Sequence, residues 1–267
     1  MMNRIGTARY KLILAYDGTN YAGMQRQRTG NSIQDQVETA LKKIGWQGRS
    51  ISMAGRTDTG VHAEGQVVSF DLGWKHGTDT LLKALNAFLP KDIAGRSLSV
   101  VSDDFHPRYD ATARAYRYQL YCQQVRHPVK DRYAWRIWPQ PDVDRMNAAA
   151  ALMIGEHDFK AFGKALKPGS ATVRMMHKAE WLVTPDGMAM DIEANAFLYH
   201  MVRRIVYMLV HIGLGDLDID IIRQGFETGS TGIVRLAPAQ GLSLMSVKYE
   251  DIKKITFPVE VQQDSKA

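Results

Sequence analysis

Residues 54 to 63 read AGRTDTGVHA, and they set Arg56 and Asp58 two apart between Gly55 and Gly60. Gly, Asp and Thr are turn formers, and an Arg–Asp pair on a surface loop contributes under about 1 kcal/mol. The pair becomes chemically useful only with partners from elsewhere in the chain. Asp58 with Glu64 would suit acid–base hydrolysis, but no second carboxylate motif accompanies them. His62, His76, His106 and His200 show no metal-ligand spacing, so no metal site is expected. A better partner lies far along the chain. The stretch from Phe197 to Ile212 is apolar around most of a helical wheel, as in a buried helix, yet it carries Arg203 and Arg204 in its middle. A buried guanidinium is too costly to keep without a carboxylate or phosphate. Arg204 lies near His200 and His211 on the wheel and is expected to reach solvent. Arg203 lies among Tyr199, Val206 and Val210 and is expected to be the paired one.

The elements that must carry these groups follow from periodicity. Tyr10, Leu12, Leu14 and Tyr16 alternate with polar or small residues, which predicts a strand over 8–17 ending at Asp17-Gly18. Ser32 and Asp35 open a helix whose face is Ile33, Val37, Leu41 and Ile44, and Gly45 closes it. Strands are expected at 50–54 and 66–72 around the AGRTDTGVHA loop, then a helix over 78–89 stopped by Pro90, then a strand over 97–101. The pattern restarts with the strand ARAYRYQLYC and a helix from Asp142 to Ile154. Strands at 174–184 and 188–194 follow, joined by Pro185-Asp186-Gly187, then helices over 197–212 and 218–227 and a strand over 242–249. Both halves therefore read as one α+β plan, mainly antiparallel sheet with helices on one face. The expected units are residues 1–104, carrying the loop, and 105–267, carrying the ARAYRYQLYC strand and the Arg203 helix.

The chain has 267 residues, 45% hydrophobic and 23% charged, with no repetitive tract, so it is globular. No stretch approaches a membrane span, and the start of the chain lacks a signal peptide's apolar region and reads directly into a strand. A single cysteine, Cys122, excludes an internal disulfide, and a reducing cytoplasm is the expected location. Net charge is +6, which permits an anionic partner without requiring one.

Distribution is more informative than the total. Between Phe105 and Trp138 stand seven cations (Arg108, Arg114, Arg117, Arg126, Lys130, Arg132, Arg136) against Asp110 and Asp131, with Tyr109, Tyr116, Tyr118, Tyr121, Tyr133 and Trp135 interleaved. From Phe159 to Lys178 there are five more, including Lys164 and Lys167, and no acid. Cations neutralise phosphates and aromatic faces stack on unpaired bases, so the mixture suits folded RNA with a displaced base. Along ARAYRYQLYC, Arg114, Tyr116, Tyr118 and Leu120 share one face; Arg and Tyr on an inward face more often line a polar cleft than fill a core.

Four motifs in order, AGRTDTGVHA, FHPRYDATARAYRY, NAFLYHMVRRIV and APAQGLSL, resemble those of the tRNA pseudouridine synthase A family, with a match from about Tyr10 to Tyr249. The resemblance implies that fold, with an active-site cleft between two similar subdomains. It makes Asp58 the catalytic nucleophile and Arg203 its partner. Arg56 would help to hold the flipped uridine, and Tyr116 would pack on its base. His76, Phe105, His106, Pro107, Arg108, Tyr109, Arg126, Lys164 and Lys167 would contact tRNA. Also implied are a cytoplasmic homodimer, no cofactor or metal, and uridines 38, 39 and 40 of the tRNA anticodon arm as substrates. The chain departs from the pattern at Thr59, where Ala is frequent, at Tyr199, where His is common, and at Pro107, which stiffens its segment. Two rivals remain at this stage: a related synthase with another RNA target, and an RNA-binding module without catalysis. An internal acid is unnecessary for binding alone.

Overall fold

Apolar alternation builds the sheet and capping sets the helices around it. The computed structural model describes residues 6–28, 30–167 and 169–250. Residues 1–5, which enter the reading of the chain's start, and the tail from 251 lie outside the described residues. The elements are, in order, β1 (Thr7–Tyr16), α1 (Ile33–Lys43), β2 (Ser52–Met53), β3 (His62–Gly73), α2 (Thr78–Phe88) and β4 (Ile93–Val101). Then follow β5 (Ala111–Cys122), β6 (Trp135–Ile137), α3 (Val143–Ala151), β7 (Gly155–Asp158), β8 (Val173–Thr184) and β9 (Gly187–Ala194). Last come α4 (Met201–Leu214), α5 (Asp220–Thr228) and β10 (Leu242–Tyr249). Ser32 caps α1 in a reciprocal box with Asp35, and Asp142 caps α3 by accepting from the amides of Asp144 and Arg145.

All ten strands share one sheet in the order β4-β1-β3-β10-β5-β9-β8-β7, with β2 on β3 and β6 on β5. Pairing is antiparallel except for β10 with β3 and β5 with β6. The last strand returns to the middle, where Leu244 faces Ala63 on one side and Tyr116 on the other, and Leu242 faces Tyr118. Residues directly opposite in register share a face. Tyr16, Ala63, Leu244 and Tyr116 therefore point the same way. That face carries both cores. One packs Leu12, Leu14, Val68 and Leu244 against Ile33, Val37 and Leu41 of α1 and Leu81 and Leu85 of α2. The other packs Tyr118, Leu120, Trp181 and Met190 against Met146 and Ala149 of α3 and Val202, Ile205 and Leu209 of α4. A fully buried Leu contributes about 1.5–3 kcal/mol. The reverse face carries ladder pairs Arg9–Asp71 and Arg117–Asp191 at 2.7 Å and a small apolar cluster of Ala54, Val67, Val101 and Phe105.

Several boundaries differ from the sequence expectation. The strand pair around the loop is two residues long on one side and begins at His62 on the other. β6 and β7 had no predicted counterpart, being too short to show a period. The helix expected from residue 197 starts at Met201 because His200 takes left-handed backbone, φ 63°, and Tyr199 pairs its backbone with Lys164. Arg204 is also a correction: it is 8% exposed rather than extended into solvent, and its Nε has no hydrogen-bond partner among the described residues.

Arg114 ties the two halves of this face together. From β5 its Nη1 donates to the carbonyls of Ala111 at 3.0 Å and Asn195 at 2.6 Å, and its Nη2 to those of Arg108 at 2.5 Å and Ala54 at 3.5 Å. Burial, with no carboxylate beside it, holds its pKa below the ordinary value for arginine. Only a planar fork of donors can serve four such carbonyls. Arg114→Leu should therefore destabilise the fold by about 3 kcal/mol in urea unfolding, with Arg114→Lys intermediate. A loss below about 1 kcal/mol for Arg114→Leu would show that water replaces the guanidinium.

Candidate active site

The loop between β2 and β3 is held from beneath. The Met24 amide donates to the Thr57 carbonyl at 3.1 Å, and Gln66 Nε2 donates to the Gly55 carbonyl at 3.0 Å. Tyr16 OH and Thr57 Oγ1 share a buried hydrogen bond of 2.8 Å. Burial pushes the Tyr16 hydroxyl up to about 12, so it stays protonated and available as a donor. Gly23, at φ 88°, lies so close under the loop that a Cβ there would stand 2.6 Å from the Thr57 carbonyl oxygen. Gly60, at φ 78°, turns the chain back towards β3. With its backbone so fixed, the loop presents Asp58 with its side chain 21% exposed.

Arg203 arrives from the first turn of α4. Its Nη1 donates to Asp58 Oδ2 at 2.9 Å, and its Nε donates to the Ala237 carbonyl at 2.8 Å. The Ala237 amide returns a bond to the Arg203 carbonyl at 3.0 Å, so the APAQGLSL segment orients the guanidinium. His200 Nε2 lies 3.3 Å from the same Asp58 oxygen. Its imidazole is held below its ordinary pKa, first by burial and then by Arg203, Arg204 and Lys164, with Asp58 opposing.

These groups open onto a cleft of about 870 Å³ between the two helix layers. Asp58, Arg203, Arg56, Tyr116, His106, Arg108 and Tyr109 all line it. Tyr116 packs edge-on against Phe197 with ring centroids 5.2 Å apart. Burial, with Tyr16 and Asp58 adding to it and Arg114 opposing, raises its hydroxyl pKa. Arg56 is exposed, with no hydrogen bond or ion pair among the described residues. Tyr109 is 76% exposed and tilts over His106 at 4.3 Å. Asp58 is the only acid among the lining residues, against Arg56, Arg108, Arg114, Arg174 and Arg203.

Other residues singled out in the sequence sit elsewhere. Phe105 is 3% exposed and packs on Tyr249 at 5.2 Å, so its ring serves a small core cluster instead of facing a ligand. Pro107 is buried and its carbonyl accepts from Tyr249 OH at 2.8 Å. His76 is exposed beside Trp74, and Arg126 is exposed in the segment after β5; neither lines the cleft. Lys164 and Lys167 are exposed next to the cleft wall residues Leu166 and Tyr199. Glu64 lines a separate cavity with Asp17 and His62, which removes it as an acid–base partner of Asp58. Among the described residues no cluster of three or more His, Cys, Asp or Glu could hold a metal ion. Sequence reasoning missed His200, the Ala237 carbonyl and the supporting Tyr16, Thr57 and Gln66. Thr57, His200 and Ala237 lie within the quoted motifs, but nothing local assigned them these contacts.

The cleft therefore holds a compensated carboxylate, an aromatic ring beside it and a surplus of positive charge. That set suits attack on a nucleotide held by its phosphates. A protein-family model described as tRNA pseudouridine synthase matches residues 12–110 and 149–250. The chain is similar to proteins named tRNA pseudouridine synthase A: 38% identity over 242 residues for Syntrophotalea carbinolica, covering 90% of this chain and 95% of the relative. For Shewanella frigidimarina the identity is 40% over 247 residues, covering 91% and 94%. For Shewanella piezotolerans it is 44% over 211 residues, covering 78% and 80%. With its site assembled from the motif residues and its sequence matched over most of its length, the chain belongs to the tRNA pseudouridine synthase family.

Proposed function

We propose that this chain isomerises uridine to pseudouridine at positions 38, 39 and 40 of the tRNA anticodon arm, with Asp58 as nucleophile. The observation that carries the reading is the 2.9 Å contact between Arg203 and Asp58 in a cleft where Asp58 is the only lining acid. The reaction breaks the bond between N1 of uracil and C1′ of the sugar, turns the base and joins C5 to C1′. C5 gives up a proton and N1 takes one, so no electron is gained or lost overall. The chain's part is to supply a nucleophile, hold a free base and keep water out. Asp58 attacks, Arg203 balances its charge and Tyr116 packs on the base. A uridine in a stem must first leave the stack, at a cost of a few kcal/mol. Arg56, exposed beside Asp58, is suited to fill the vacated space. The reading extends to a cytoplasmic homodimer and to a functional division at residues 104 and 105. Among the described residues no helix is long and apolar enough to cross a membrane.

Asp58→Asn keeps the side chain's shape but removes the charge that attacks. It should bind tRNA as wild type does while pseudouridine formation, mapped in tRNA by chemical labelling, falls to background. Turnover by this variant, free of wild-type protein, would remove Asp58 from the role. Arg56→Ala should leave the melting temperature nearly unchanged and slow modification of a stem uridine more than of one presented in a loop. Equal slowing of both would count against a part in flipping. Neutralising Arg108, Arg126 and Lys164 together should flatten the fall of tRNA affinity with salt, each true phosphate contact lowering the logarithmic slope by about 1. An unchanged slope would rule these residues out as contacts.

A further inference from the structure

Contacts on the Asp58 carboxylate are one-sided. Arg203 Nη1 donates to Oδ2 at 2.9 Å and His200 Nε2 lies 3.3 Å from the same atom, a close polar approach that is not aligned as a hydrogen bond, whereas Oδ1 accepts no hydrogen bond among the described residues. His200 reaches this position from left-handed backbone, φ 63° and ψ 6°, a conformation that non-glycine residues seldom take. Strain of this kind persists where the surroundings enforce it, and it concentrates at functional sites. Here the enforcement is visible. Tyr199 exchanges both backbone hydrogen bonds with Lys164, at 3.0 and 3.1 Å, and its ring stacks on the imidazole with centroids 3.6 Å apart. The His200 side chain does not cap α4, so helix capping does not account for its placement.

From this geometry we infer that His200 is a positioning residue: with Arg203 it holds Oδ2 from a second direction and so presents Oδ1 to the target nucleotide. The inference rests on the reading of Asp58 as the nucleophile. A carboxylate turns easily about its last side-chain bond, where the torsional wells are broad. A single contact from Arg203 leaves that rotation open, whereas two contacts on one oxygen from two residues of α4's entry restrict it. The imidazole is faced by Asp58 from the loop, Arg203 and Arg204 from α4 and Lys164 from the segment paired with Tyr199. Burial and the three cations keep it neutral at pH 7. A neutral ring edge at this distance limits the carboxylate's rotation without adding a second full positive charge that would weaken it as a nucleophile.

His200→Gly tests the side chain while keeping a residue that accepts the left-handed backbone. This variant should fold with a melting temperature at or above wild type. Its kcat on a full-length tRNA should fall roughly ten- to hundred-fold, the scale of a misaligned reacting group, with KM within about two-fold. His200→Ala should lose as much kcat, and His200→Gln, which restores a neutral polar group at similar reach, should recover most of it. In an NMR titration the wild-type His200 ring should titrate below pH 6.5. Asp58→Asn should move that titration lower still, because the carboxylate is the one neighbour that favours the charged ring. A wild-type kcat in His200→Gly, a raised KM with kcat unchanged, or a ring titration indifferent to Asp58→Asn would each overturn the inference. Turnover by Asp58→Asn would instead overturn the nucleophile reading, so the two failures are distinguishable.

Discussion

The contact between Asp58 and Arg203 joins residues 145 apart in the chain, and the rest of the fold is arranged around it. Neither partner is free to find the other by side-chain motion alone. Asp58 sits on a loop pinned at Thr57 and Gly55, and Arg203 is gripped by the Ala237 carbonyl. The side chains are 21% and 16% exposed, between two failures. Full exposure would let water screen the pair to under about 1 kcal/mol, and full burial would add a desolvation penalty of several kcal/mol per ion. A cleft wall meets both requirements and leaves one carboxylate oxygen open.

Such accuracy needs the two helix layers to keep a constant relation, and β10 supplies it. The strand returns from the far end of the chain to lie between β3 and β5, so the sheet has no seam where the loop-bearing and helix-bearing halves meet. Leu244 belongs to the first core and Leu242 to the second, two residues apart on one strand. Arg114 adds a clamp above the sheet by bonding carbonyls of Ala54, Arg108 and Asn195, which lead into three of the four motif segments. The motifs are distant in sequence because each occupies a different side of one cleft.

How much of this could be read from sequence depended on range. β1, α1, β5 and β8 were legible because each carries its own period and end signals over ten or more residues. Residues Trp135–Ile137 and Gly155–Asp158 pair only because a neighbouring strand is already in place, so nothing local marks them. The wheel argument separated Arg203 from Arg204 correctly as to which meets an acid. It failed for Arg204, because a wheel gives direction but not what packs over a face. Phe105 looked like a base-stacking ring among cations; its burial against Tyr249 depends on the last strand, far from it in sequence. His200 escaped assignment because its contact arises from a left-handed residue that stops the helix from starting at 197, a backbone choice invisible to periodicity.

The cleft's charge follows from how its arginines are satisfied. An arginine paired with a carboxylate contributes little net field, and one bonded to carbonyls keeps its full charge. Arg114 is satisfied by four carbonyls, and Arg174 donates from Nη1 to the carbonyls of Ala171 and Val173 while its buried Nε has no hydrogen-bond partner among the described residues. Burial lowers the pKa of each, but an arginine starts so high that both remain charged at neutral pH. Only Arg203 among the lining arginines meets an acid. The cleft can thus be folded with its arginines bonded mainly to carbonyls while remaining positively charged, a state that an anionic backbone would neutralise without displacing an internal ion pair other than Arg203–Asp58. Carbonyl-bonded arginines let the protein keep Asp58 as a single negative charge among the lining residues within an otherwise positive wall, so that the acid and the free positive charge occupy separate parts of one cleft.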